Sequence, residues 1–164
     1  MEADDSLHQA ERDVGHQHHR GFADRCHHAK EEDVLFPALR QALPSESQAV
    51  LRDLTHDHER GRALVGAIES YAKPACAGDA RSIAGFETAV AAYARLLEQH
   101  IEREDLQLVT LADRLPPAVK TQVEEGFERV ELAATGKGGH ARYEHAIDDL
   151  AKRYSRYARR SAAA

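Results

Sequence analysis

Tryptophan is absent from these 164 residues, methionine occurs once, and aromatics make up only 5%. Proline is scarce at 5, and Ala, Leu, Glu and Arg dominate, a composition that disfavours sheets and favours helices. Two cysteines, Cys26 and Cys76, sit outside any CxxC spacing and are too few for a disulfide framework. Cys26 reads as a small buried packing residue rather than a redox thiol. No apolar run approaches the ~20 residues needed to cross a bilayer. Met1 to Arg12 is polar and acidic and has no signal-peptide core. The expectation is a reduced, cytoplasmic chain without membrane association. Positive charge is also short: 22 Lys and Arg against 28 Asp and Glu leave a net −6. That balance argues against a nucleic-acid partner, whose affinity rests on neutralising phosphates. The basic KRYSRYARR stretch reads as a solvated helix end with cations near the negative pole of the dipole. No Ser/His/Asp nucleophile arrangement, phosphate loop or dinucleotide fingerprint is present, and GKGG lacks the Walker spacing. No catalytic residue is assigned.

The length suits one domain with a proper core. Five helical segments are predicted. The first covers Phe22 to Leu43 and is stopped by Pro44. Ser45 with Gln48 forms a capping box for the second, which ends before Pro74. Asp79 is the expected N-cap of a third helix, Arg81 to Leu115. Pro116 and Pro117 break it, and Pro117 opens a fourth helix through Ala134. A fifth runs from His140 to Arg159, with the stripe His140, Tyr143, Ile147, Leu150, Tyr154 and Tyr157.

Against this helical background, histidine and glutamate stand where a bundle keeps leucine and valine. Leu51, Leu54, His58, Gly61, Val65, Ile68 and Ala72 follow an unbroken 3,4 spacing, so His58 occupies a seam position. Phe86, Val90, Tyr93, Leu97, His100, Glu104, Leu108 and Leu111 repeat the device. His27 and Glu31 lead into Leu35, Ala38 and Ala42. His27 and Glu31, like His100 and Glu104, are four apart and share a helix face.

Heights agree as well. At ~1.5 Å per residue, His27 and His58 lie ~24 and ~20 Å from the turn between their helices. His58 and His100 lie ~21 and ~28 Å from theirs, a difference that about one turn of loop offset absorbs. Three helices thus bring His27, His58 and His100 towards one layer.

A buried unpaired carboxylate costs several kcal/mol or titrates to neutrality. Two of them beside three imidazoles call for compensation, and a pair of cations bridged by carboxylates supplies it. Carboxylate and imidazole without thiolate suit iron, manganese or zinc over Cu(I). His28, about 100° round from His27, is either a further ligand or an outer hydrogen-bond donor. Glu32, Asp33 and Asp105 read as a solvated face, and His56 as exposed. His16, His18 and His19 read as a solvated stretch rather than a second metal site.

These residues resemble the hemerythrin-like, or HHE cation-binding, family. FADRCHHAKEEDVLFPAL is similar to its second-helix signature, QHIERED to its fourth-helix signature, and His58 to its third-helix histidine. The likeness runs from Phe22 to Pro116, with motifs specific in combination and weak singly. It implies an all-α, up-and-down helical bundle holding two non-haem irons, oxo- or hydroxo-bridged, with manganese or zinc as alternatives. It implies His27, Glu31, His58, His100 and Glu104 as metal ligands, with His28 where some members carry an extra one.

The chain departs from the pattern at both ends of the site. Only 26 residues precede His27, too few for a full first helix with its own histidine. Glu104 is followed by DLQLVTL rather than LFP. The expected architecture therefore has a truncated or missing first helix and extra C-terminal helices. Residues 1–21 form an atypical His-rich segment, 22–116 the hemerythrin-like metal-binding helices, and 117–164 a C-terminal helical extension. The missing histidine is supplied by His8 through a hairpin near Gly15, by the fifth helix with His140, or by a second copy in a homodimer, the favoured option. The expected function is binding of O2 or a related small diatomic for sensing or storage, and a binding protein rather than an enzyme. The alternatives are a diiron enzyme handling peroxide or nitric oxide and a metal-free helical interaction module.

Overall fold

In the computed structural model, residues 26–136 are described, together with 145, 148, 149, 151 and 152. Every element among the described residues is helical and none is a strand, in keeping with the all-α expectation. The chain divides into two compact units, Glu31–Val123, and Met1–Lys30 with Glu124–Ala164.

The Glu31–Val123 unit opens with a π-helical turn, Glu31–Leu35, that passes into α1 (Phe36–Ala42). The 33-residue α2 (Pro44–Cys76) and α3 (Ala80–Arg103) follow. A second π-helical turn, Glu104–Leu108, leads into α4 (Val109–Asp113), and α5 (Pro117–Thr135) begins at the expected proline.

The corner between α1 and α2 differs from the capping box expected at Ser45. Leu43 leaves the helical region at φ −134°, ψ 59°, and Pro44 occupies the first helical turn with no side-chain cap. Proline restricts the residue before it and is itself preset for a helix start, so the break falls one residue earlier. Ser47, fully buried, instead donates its hydroxyl to the Leu39 carbonyl at 3.3 Å, tying the two helices together.

α2 also runs past Lys73, with Pro74 inside its last turn. Gly78, at φ 89°, takes the left-handed conformation of the turn, and Asp79 caps α3 as expected. Its carboxylate accepts from the Ser82 amide at 2.8 Å. The longer α2 removes most of the height mismatch: the legs from His58 to Cys76 and from Ala80 to His100 become ~27 and ~30 Å.

α2 and α3 form an antiparallel hairpin. Gly61 lies against Tyr93 and Leu96, and nearer the turn Gly85 lies beneath the ring of Tyr71. On α2 the predicted seam is found: Leu51, Leu54, His58 and Gly61 are buried, and Val65, Ile68 and Ala72 half-buried. On α3 Ala89, Leu96 and His100 are buried, and of the expected stripe Phe86, Tyr93 and Leu97 are half-buried beside the buried His100. Val90 is 40% exposed, a correction to its expected place on the inner face. Leu35, Phe36 and Leu39 from the first turns, Leu51 and Leu54 from α2, and Leu108, Leu111 and Leu115 are buried.

In the other unit, Cys26 is buried as expected, and Lys30 pairs with Glu131 at 2.5 Å. Lys30 also lies 5.9 Å from the centroid of the Phe127 ring. Burial pushes the Cys26 thiol up against the opposing pull of Lys30, and Glu131 adds to the rise. Cys76 is exposed. Residues 145, 148, 149, 151 and 152 are helical, within the expected fifth helix. The truncated first helix, His8, His16, His18, His19 and His140 lie outside the described residues.

Candidate metal centre

Each carboxylate of the expected layer heads a π-helical turn. Glu31 begins the first, before Leu35, and Glu104 begins the second, before Leu108. Such turns take one residue more than an α-turn and swing the next side chains round the axis. In both turns the opening glutamate and the closing leucine lie away from solvent: Glu31, Leu35 and Leu108 are buried, and Glu104 is half-buried.

His58 is 1% exposed, Glu31 6% and His100 5%. Nε2 of His58 lies 3.1 Å from Oε2 of Glu31, and Nε2 of His100 lies 2.8 Å from Oε1 of Glu104. The two imidazoles meet edge to face with centroids 4.9 Å apart, so α2 and α3 deliver their histidines to one height as expected. The Phe36 ring stacks on His58 at 5.9 Å, with 12° between the planes. One donor atom each from Glu31, His100 and Glu104 lies within 4.8 Å of the others, and His58 and His100 are equally close. These four residues, the expected ligands of this unit, converge on one place.

Two acids behind the histidines were missed or misread. Glu32, expected on a solvated face, is half-buried, and its Oε1 lies 2.6 Å from Nδ1 of His58. Arg62 donates to the same oxygen at 2.6 Å. Burial raises the Glu32 pKa, but the hydrogen bonds from Arg62 and His58 outweigh it, and the carboxyl is held below its ordinary range. Asp57 is buried, hydrogen-bonded by Arg103, and its Oδ2 lies 3.8 Å from Nδ1 of His100. The sequence carried a signal for this arrangement. Arg62 follows His58 by four residues and Arg103 follows His100 by three, so each arginine shares a helix face with its histidine.

The remaining readings separate simply. Asp33, Asp105 and His56 are exposed as expected. His27 and His28 belong to the other unit; there His27 is exposed, His28 half-buried, and their rings lie 5.7 Å apart with a 52° tilt. Burial alone raises the pKa of Tyr93.

The donor set suits a hard or borderline divalent or trivalent cation. Two carboxylates and two imidazoles, with no thiolate among them, favour iron, manganese or zinc over Cu(I). Carboxylates can bridge, so the set extends naturally to more than one ion. No helix among the described residues is long and apolar enough to cross a membrane.

Comparison with known proteins agrees with this chemistry. The model of the hemerythrin HHE cation binding domain matches residues 2–112. That match begins well before Phe22, so it takes in the His-rich segment that the motif likeness left out. Uncharacterized proteins of Mycobacterium bovis and of two strains of Mycobacterium tuberculosis are 30% identical over 135 residues. The alignment covers 81% of this chain and 52% of each relative, so the chain spans about half their length. No solved structure matches the chain significantly.

Proposed function

Because the chain belongs to the hemerythrin HHE cation-binding domain family, we propose that it is a non-haem diiron-binding protein that takes up O2 or a related small diatomic for sensing or storage. The observation that carries this reading is the buried layer of Glu31, His58, His100 and Glu104, with imidazole and carboxylate atoms 2.8 and 3.1 Å apart. Such a concentration of ionisable groups in an apolar core is tolerable when cations neutralise it.

In this reading Glu31, His58, His100 and Glu104 hold the ions. His27 joins them on its spacing of four from Glu31, and His28 as a further ligand. When bound, iron supplies one-electron redox chemistry towards a diatomic at an open coordination position. The chain does the rest. Phe36 fixes the plane of His58 by stacking. Leu35, Leu54, Leu96 and Leu108, all buried, exclude water from around the layer. A dry surround strengthens each carboxylate–cation contact and shields a bound diatomic from protons. The family match from residue 2 supports an N-terminal contribution, with His8 in that stretch; the fifth helix with His140 and a second copy of the chain are the other sources of the missing ligand. The few cysteines support a cytoplasmic setting.

Elemental analysis of iron-loaded protein, with optical spectra before and after exposure to O2, tests the proposal. Two irons per chain and a spectrum that changes with O2 and reverts on its removal are expected. Rapid disproportionation of added peroxide at one metal pair per chain makes the protein an enzyme instead. Protein that retains no metal under these conditions is a helical interaction module, and the proposal is wrong.

A further inference from the structure

We infer that Glu32 and Asp57 are positioning residues that orient His58 and His100 towards the cation layer, each acid being held in turn by an arginine. The inference deepens the diiron reading and rests on it for the metal.

An ionised carboxylate only accepts hydrogen bonds. With Oε1 of Glu32 2.6 Å from Nδ1 of His58, Nδ1 carries the proton and donates it. The other ring nitrogen, Nε2, is then the one offered to a cation, and it is the one turned towards Glu31 at 3.1 Å. Arg62 donates to the same carboxylate oxygen at 2.6 Å, so Glu32 cannot swing away without losing two charge-assisted bonds.

A looser arrangement, without the hydrogen bond from acid to histidine, stands one helix on. Asp57 is buried and gripped by Arg103, and it lies 3.8 Å from Nδ1 of His100. Nε2 of His100 faces Glu104 at 2.8 Å. In both cases the histidine and arginine come from one helix and the acid from an earlier helical segment. In both, the acid is the immediate sequence neighbour of an expected ligand: Glu32 follows Glu31, and Asp57 precedes His58. Each element thus presents one residue to the layer and, about 100° round the axis, one that orients the next histidine. At 3.8 Å the Asp57 contact acts through charge, whereas the Glu32 contact is a hydrogen bond.

The test compares wild type with Glu32→Ala and Glu32→Gln in two measurements. The first is anaerobic titration with ferrous iron alone. Removing such a partner typically costs about 10–100-fold in metal affinity. Glu32→Ala should show a loss in that range, measured at a temperature where circular dichroism shows the metal-free variant to be fully folded. Glu32→Gln, which keeps an acceptor at the same reach, should recover most of it. The second is the His58 Nδ1–H signal by nitrogen-15 NMR on the metal-free chain. It should be protected from solvent exchange in wild type and lost in Glu32→Ala. Wild-type iron affinity in Glu32→Ala, or an unaltered Nδ1–H signal, overturns the inference and leaves Glu32–Arg62 as a surface ion pair. If wild type itself retains no iron, the diiron reading fails separately, and the NMR comparison still decides whether Glu32 orients His58.

Discussion

Replacing His58 with alanine removes the most deeply placed side chain of the layer, and the consequences can be worked from its contacts. The imidazole is 1% exposed, stacks on Phe36, and faces Glu31 on one nitrogen and Glu32 on the other. Its loss leaves a cavity beside Phe36 and takes the hydrogen-bond partner from Glu32. Truncating a large buried side chain to alanine costs about 2–5 kcal/mol. In the metal-free protein the variant should therefore melt lower than wild type. A drop in melting temperature alone reports only packing, so the decisive quantity is the increment on adding iron. Any cation that binds only the folded state stabilises it by about 2.7 kcal/mol at a hundredfold excess over its dissociation constant. For a chain of this length each kcal/mol raises the melting temperature by ~2–4 °C. Wild type should therefore gain roughly 5–11 °C on iron addition. His58→Ala, short of a ligand, should gain almost nothing and should purify with less than the wild-type iron content. Anaerobic calorimetry with and without ferrous iron, paired with elemental analysis, reads both. Equal iron-dependent gains in the two proteins would refute the assignment of His58 to the metal layer, whatever the metal-free stabilities show.

Three further outcomes follow from other parts of the fold. A Cβ added at Gly66, inside α2, meets nothing within 4 Å, so Gly66→Ala should stabilise the protein by about 0.5–1 kcal/mol in denaturant melts through helix propensity alone; a loss of stability would show that the site is tighter than it looks. Hydrogen bonds from the Ser82 side chain and amide hold the Asp79 carboxyl below its ordinary value of 3.8, so the cap's contribution is complete above that pH and fades as pH falls through the depressed value; Asp79→Ala should lower the melting temperature at neutral pH, with the difference from wild type closing in acid, and a difference that persists in acid contradicts the cap. Ile101, Leu106 and Val109 are exposed, and if a second copy completes the bundle, light scattering on a sizing column returns the mass of a dimer and Ile101→Glu returns a monomer; a monomeric wild type sinks that completion.

How much of this could be read from the sequence depends on which physical rule governed each stretch. The α2 seam was legible because burial follows the 3,4 spacing of Leu51, Leu54, His58 and Gly61 without interruption. Asp79 and Pro117 were legible because cap chemistry and a proline's fixed φ act locally. The capping box at Ser45 failed because Pro44 started the helix before Ser45 could cap it. Pro74 did not end α2 where expected: a proline so near the C-terminus disturbs little of the helix beyond itself. The outer acids were hidden for a different reason. Glu32 and Asp57 look like ordinary charged positions along their own helices; Arg62 and Arg103 point to an acid beside each histidine, but which acid it is follows from packing against the next helix.

The π-helical turns are the part that no α-helical periodicity could have revealed, and they bear on why the site stands where it does. A glutamate placed inward takes a position that a leucine would fill. In Glu31–Leu35 and Glu104–Leu108, as in an α-helix, residues four apart share a face, so glutamate and leucine lie away from solvent together, and the wider turn shifts the register of the residues that follow. Each segment thereby contributes one polar donor and one core residue over five positions. The cost of the weaker π hydrogen-bond geometry is offset where Leu35 and Leu108 are buried. The layer can then hold two carboxylates beside His58 and His100 while Phe36, Leu39, Leu51 and Leu54 keep the adjoining core closed.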